Sequence, residues 1–479
     1  MAVAIGSLRL ASRPLISITQ AARLSKASFH TDPSRRSFSP ASPAEAITSQ
    51  TPAAEWPTQP LIRRPSNEQG YQKMPRPGNN RVLIQVYDKV HPFDLTHLRD
   101  SCRCPRCVDT STRQRTFETA QIPPNISIRS ITQIRARPSA FRIEWANDIP
   151  GFEDHASIFS ETVLAQLHYS PLPPHPNREL WKPHDFVNIR RKVAFKEYMN
   201  NPREFCRALH HLEKYGLLFL RDVPEDPESV AKIAERIGPL RNSFYGSTWD
   251  VRNTPNATNV ASTNGFLGYH MDLLYTAQPP GYQFLHFMKN DLEGGESLFT
   301  DSFRAATALR EKFPEAFEVL KTFPVTFHYN NDNQYFKQTC KTISTTTLKG
   351  QEIITDVRYS PPFQCTTMMH HSDCRYSFSE FANAMRLFKN LLDNPSEGIE
   401  SKMQAGECVI FHNLRILHAR RAFAATENSQ GGDRWLRGAY VDEDHVMSKF
   451  RGAHQQYPEY WVHEKKVPWV RKKKNPNLS

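Results

Sequence analysis

Two groups of residues in this chain have the types and the spacing for metal chemistry. In C-R-C-P-R-C, Cys102, Cys104 and Cys107 place three thiols within six residues. Thiolates on so short a loop can converge on one cation, and Zn²⁺ takes four N/S donors in a tetrahedron. The fourth donor is open among His91, His97, His155 and Cys206. His155 follows the strand F-R-I-E-W and a turn over 147–151, where a second segment could fold back onto the cysteines. Four protein donors leave no open position, so such a site would be structural. In Y-H-M-D, His270 and Asp272 stand two apart, and in a strand residues i and i+2 share a face. One more histidine from a distant strand would complete a 2-His-1-carboxylate triad, the donor set of non-heme Fe(II) oxygenases, with positions left for a cosubstrate and O₂.

The elements that must hold these residues have to be found in 479 residues with 36 prolines, 52 aromatics and a formal net charge of +12. The charge sits on tails. Residues 1–80 carry ten Lys/Arg against four Asp/Glu, and 465–479 carry six Lys/Arg and no acid. The stretch 81–464 therefore has 45 of each and is neutral, which argues against a nucleic-acid-binding face. No run of 18 uncharged apolar residues is present, so no membrane span is expected. Eight cysteines are too few for a disulfide scaffold.

Residues 1–44 are rich in Arg and Ser and hold one acid, Asp32, the composition of a mitochondrial presequence and hence of a matrix protein. Residues 45–80, rich in Pro, Ser and Gln, read as a disordered linker. Short alternating stretches (Arg81–Tyr87, Ile126–Ala136, Phe141–Trp145) predict a small β domain over 81–165. A helix is expected over 198–215, followed by Gly216 and the strand Leu217–Leu220, then many short strands and helices at about 302–322 and 378–393. This mixture predicts an antiparallel sandwich decorated by helices, with no doubly wound sheet.

Around these residues the chain reads PPGYQFLHFMKNDLEGGESLFTDSF after His270 and GECVIFHNLRILHARRAF some 148 residues on. Both stretches resemble the Fe(II)/2-oxoglutarate dioxygenases of the taurine dioxygenase-like superfamily, and most of all its γ-butyrobetaine and trimethyllysine dioxygenase branch. LRDSCRCPRC and WANDIPGFEDHASIF are similar to the zinc-binding N-terminal domain of that branch. The resemblance covers about 81–455. It implies a mainly β fold with helices: a double-stranded β-helix (jelly roll) catalytic domain over 185–455, a zinc-binding N-terminal β domain over 81–165, and a basic tail over 456–479. It implies His270, Asp272 and His418 as iron ligands and Cys102, Cys104, Cys107 and His155 as zinc ligands, with His412 structural. Arg434 would hold the distal carboxylate of 2-oxoglutarate, a task for a planar guanidinium. Ser297 would add a hydroxyl contact, while Arg437, Arg420 and Arg421 are set aside. Tyr245, Trp249, Tyr440 and Asn259 would receive a trimethylammonium substrate, the aromatics by cation–π attraction. The chain departs from the branch at Ser262, where a further cage tyrosine is expected, and over Arg358–Gln364, where an Asn-rich stretch is expected. The activity implied is hydroxylation of an unactivated C–H, γ-butyrobetaine to L-carnitine, with O₂ consumed, succinate formed and ascorbate as a reductant. Trimethyllysine or a non-carnitine metabolite is the alternative substrate, a non-catalytic zinc-binding interaction protein the alternative class, and a homodimer is left open.

Overall fold

Strand residues here alternate between two buried faces, and that alternation builds the site. The computed structural model describes residues 80–135, 139–168, 178–252, 260–331, 333–348, 350–365, 374–424 and 434–460, all within the unit Pro77–Ser479. The presequence and linker readings, most of the basic tail and Asn259 fall outside these residues.

A six-stranded sheet runs in the order Lys192–Ala194, Leu217–Arg221, Glu407–His412, Tyr282–Asn290, Arg434–Val441, Thr248–Arg252, antiparallel except for its first pair. A four-stranded antiparallel sheet faces it, in the order Gly398–Ser401, Ser297–Asp301, Ile416–Arg420, Leu267–His270. Phe287, Phe299, Val409, Phe411, Ile416 and Leu436 fill the space between the sheets as one apolar cluster. This is the antiparallel sandwich that the strand pattern predicts, in the jelly-roll form that the family resemblance implies.

The outer face of the larger sheet is apolar too, so it needs a cover. The helices Pro202–Tyr215, Ser229–Glu235 and Glu443–Gln456 provide it, burying Leu209, Leu212, Val230, Ile233, Val446 and Phe450 against Phe284, Cys408 and Ile410. Each such side chain contributes roughly 1.5–3 kcal/mol on burial. A third cluster joins the helices Ser302–Lys312, Pro314–Thr322 and Phe378–Leu392 to the hairpins Pro324–Lys341 and Ile343–Val357.

Two expected helices are in fact pairs, and the breaks have local causes. Residues 198–215 span Phe195–Asn200 and Pro202–Tyr215: Asn201 caps the second helix by accepting from the N–H groups of Arg203 and Glu204, and Pro202 occupies its first position. Residues 302–322 divide at Phe313, ahead of Pro314, which lacks the N–H that a continuous helix would need. Residues 80–168 contain the hairpin Arg81–Asp94, the three-stranded sheet Ile128–Ile134, Ala140–Trp145 and Ala156–Ser160, and two short helices. Their own core includes Cys102, Cys107, Ile143, Trp145 and Phe159. Among the described residues no helix is long and apolar enough to cross a membrane.

Candidate functional site

His270 ends the strand Leu267–His270 and pairs with His418 on the neighbouring strand, so the two imidazoles lie side by side with ring centroids 4.1 Å apart. Asp272 does not share that strand, contrary to the strand argument from H-x-D. The strand stops at His270, and the carboxylate arrives from the turn beyond it. Asp272 Oδ1 nevertheless lies 3.5 Å from His270 Nε2 and 3.8 Å from His418 Nε2. Donor atoms of all three residues fall within 4.8 Å of one another.

The imidazoles are prepared as ligands. His270 Nδ1 bonds the Gly268 carbonyl at 2.9 Å, which leaves Nε2 its lone pair. Burial, then the neighbouring His270, hold His418 down at about 3, so it is neutral at physiological pH. Two imidazole nitrogens and one carboxylate oxygen suit Fe(II) with open positions.

The rest of the motif N-L-R-I-L-H is structural, and it explains the turn. Asn413 accepts from the Asp272 N–H at 2.9 Å and donates to the Asp272 carbonyl at 3.0 Å and the Pro280 carbonyl at 3.2 Å. Arg415 forms a buried pair with Asp301 at 2.8 Å. His412 stacks on Tyr282, on the outer face of the large sheet, away from the triad.

A cavity of about 330 Å³ opens beside the triad. Arg434, Leu436 and Tyr440 come from alternate positions of one strand, Gln283 and Leu285 from its neighbour Tyr282–Asn290, and Ser297 from the facing smaller sheet. Arg434 is 5% exposed, its Nε has no hydrogen-bond partner and no carboxylate pairs with it among the described residues. Burial, then Arg420, lower it to about 9, so it stays charged at neutral pH. A buried guanidinium without an acid is fit for an anionic ligand, as 2-oxoglutarate would be. The other arginines are committed elsewhere. Arg420 donates to the carbonyls of Ala261, Thr263 and Gly265 and holds the segment that brings Ser262 to the wall. Arg421 pairs with Glu400 at the surface, and Arg437 with Asp250.

Tyr245 and Trp249 also line the cavity, joined by two residues that the sequence did not single out, Tyr275 and Phe363. Tyr275 lies one turn beyond Asp272, and Phe363 belongs to the divergent segment Arg358–Gln364. Tyr440 lines the cavity as well, but Trp249 stacks on its ring at 3.9 Å and its hydroxyl donates to Asp272 Oδ2 at 2.7 Å.

The four-donor cluster also assembles. His155 Nε2 lies 3.4 Å from the sulfurs of both Cys102 and Cys107, and all four donors, Cys104 included, fall within 4.8 Å. Of the open candidates it is His155 that closes the set. Its Nδ1 bonds Asp148 at 2.8 Å, and Asp148 in turn pairs with the buried Arg99. A carboxylate behind the imidazole is the usual orienting partner of a zinc-binding histidine.

Comparison with known proteins follows the same division. The family described as taurine catabolism dioxygenase TauD, TfdA matches residues 170–440, and the one described as γ-butyrobetaine hydroxylase-like, N-terminal, matches residues 76–164. Dioxygenase str8 of Strobilurus tenacellus is 34% identical over 378 residues, which are 76% of this chain and 85% of that protein. γ-Butyrobetaine dioxygenase of Pseudomonas sp. (strain AK-1) is 29% identical over 75% of this chain and 90% of its own. Mitochondrial trimethyllysine dioxygenase of Rattus norvegicus is 25% identical over 78% of this chain and 85% of its own.

Proposed function

The chain belongs to the taurine catabolism dioxygenase TauD, TfdA family, and from this premise we propose that it hydroxylates an unactivated C–H bond of a small quaternary-ammonium acid, γ-butyrobetaine first among them. It is an enzyme of the dioxygenase class, with Fe(II) and 2-oxoglutarate the metal and cosubstrate expected of the family. In this reading His270, Asp272 and His418 hold the iron, Arg434 the distal carboxylate of 2-oxoglutarate with Ser297 beside it, and Cys102, Cys104, Cys107 and His155 a structural zinc. Iron and cosubstrate supply the oxidising chemistry when bound. The chain's residues bind, orient and exclude water. Asn413 holds the backbone on both sides of the Asp272 side chain, so the carboxylate is positioned before any ligand arrives. Leu267, Leu285 and Leu436 keep the cavity apolar between its charged ends.

The observation that carries the substrate class is the aromatic wall of Tyr245, Trp249, Tyr275 and Phe363 next to the triad, suited to a cationic head group. The names of two relatives, γ-butyrobetaine dioxygenase and trimethyllysine dioxygenase, support it. A second reading, a neutral apolar substrate, is favoured by Ser262 on the wall where a tyrosine is expected and by the Trp249 face spent on Tyr440. Succinate release with Fe(II), 2-oxoglutarate and ascorbate decides between them. γ-Butyrobetaine and trimethyllysine should stimulate it more than the analogue in which tert-butyl replaces trimethylammonium. Stimulation by the neutral analogue alone would establish the second reading. A mitochondrial location belongs to the proposal, supported by the Arg-rich first 44 residues and by the mitochondrial relative, and import into isolated mitochondria tests it.

A further inference from the structure

We infer that Tyr440 is a positioning residue for the Asp272 carboxylate, clamped in that role by Trp249. The inference rests on reading His270, Asp272 and His418 as the metal site. The two carboxylate oxygens have different neighbours: Oδ1 faces the Nε2 atoms of both histidines, while Oδ2 accepts from the Tyr440 hydroxyl at 2.7 Å. Without that bond the group could turn about its terminal torsion, which is broad for aspartate, and Oδ1 would lose its fixed place facing the two imidazoles. Tyr440 keeps Oδ1 aimed where a cation held by both histidines would need it.

The phenol is itself immobilised. Tyr440 is 1% exposed, and the Trp249 indole lies over its ring at 3.9 Å with 28° between the planes. Trp249 can lie there because its partner across the ladder is Gly438, where a Cβ would come within 2.5 Å of the indole carbon Cε2. Three side-chain positions on two adjacent strands of the larger sheet thus form a column whose far end reaches the metal-bearing turn that follows the smaller sheet's edge strand. Trp249 also lines the cavity, so a substrate that rests on it presses on the same column.

The test measures metal binding apart from turnover, by anaerobic titration with Mn(II) as a redox-silent probe and with Fe(II). Tyr440→Phe removes one oxygen and keeps the stack. It should weaken Mn(II) binding about 10- to 100-fold, the range for losing an outer partner of a ligand, with the melting temperature of the metal-free protein unchanged. Trp249→Ala and Gly438→Ala, which leave the hydroxyl in place but take away or displace the ring that holds it, should weaken Mn(II) binding by a smaller factor. Trp249→Phe, which restores a stacking ring, should recover it. Wild-type Mn(II) affinity in Tyr440→Phe, with only the KM for the organic substrate raised, would overturn the inference and leave Tyr440 a wall of the substrate pocket. Equal Mn(II) binding by wild type and Asp272→Ala would instead overturn the metal reading beneath it.

Discussion

At the scale of single residues, the cavity asks different things of its two ends. Arg434→Ala should raise the KM for 2-oxoglutarate strongly. A buried carboxylate that loses its charged partner costs about 2–5 kcal/mol, or roughly 30-fold and upward in affinity, and Arg434→Lys should restore little because a point charge does not reproduce the fork. Steady-state kinetics in 2-oxoglutarate read this directly, and an unchanged KM in Arg434→Ala would remove the assignment. Asp272→Ala should abolish substrate-dependent succinate formation without unfolding the protein, since the triad has no spare donor among the described residues. The three cysteines and the pair His270 and Asp272 stood out by type and spacing, whereas His418, 148 residues on, and the choice of His155 came with the family resemblance. What escaped the sequence was orientation: that the Tyr440 hydroxyl goes to Asp272, or that Tyr275 and Phe363 meet edge to face in the cavity wall, depends on which segments become neighbours. No local pattern encodes that.

At the scale of elements, the turn Asn413–Arg415 matters as much as the strands it joins. Asn413 is fully buried and serves three backbone groups, so Asn413→Ala should cost roughly 1–3 kcal/mol for the donors and acceptors left unmet, and should also lower metal affinity. Thermal unfolding and Mn(II) titration of one preparation check both. The strand Tyr282–Asn290 carries a second liability. His286 is completely buried, has no hydrogen-bond partner among the described residues, and is held down at about 4 by burial. Between about pH 4 and 6.5 the unfolded chain takes a proton that the folded chain refuses. Stability is therefore full above about pH 6.5 and declines as pH falls towards 4, by roughly 3 kcal/mol in all from this residue. His286→Leu should flatten that part of the pH–stability curve, and an unaltered slope would place the loss elsewhere. The helix breaks at Asn201 and Pro314 were legible in principle, since both carry ordinary capping signals. Apolar periodicity running across them hid the breaks.

At the scale of the whole molecule, the antiparallel sandwich followed from the mixture of short strands and helices, while its jelly-roll form came with the family resemblance, and within the neutral stretch 81–464 charges pair across the fold, as Lys192 with Glu407, Arg241 with Asp442 and Arg415 with Asp301. Sheet order was beyond the sequence, because Leu217–Arg221, Glu407–His412 and Tyr282–Asn290 each hold a mostly apolar, buried stretch that could pair in several ways. Purified protein should carry about one Zn²⁺ per chain, and Cys104→Ser should melt residues 80–168 ahead of the rest, because metal binding and local folding are coupled. Hydrogen exchange followed by segment would reveal this, and zinc retained after loss of two of the cysteines would refute it. The two donor clusters differ in one more respect. Cys102 and His155 are 53 residues apart within residues 80–168, whereas His270 and His418 are 148 apart and meet only when the strands Leu267–His270 and Ile416–Arg420 pair at the edge of the smaller sheet. During synthesis from the N-terminus, the thiolate cluster can therefore close long before residue 418 exists. A chain emerging N-terminus first would thus complete its soft, thiolate-rich donor set while its imidazole–carboxylate set still lacks a member.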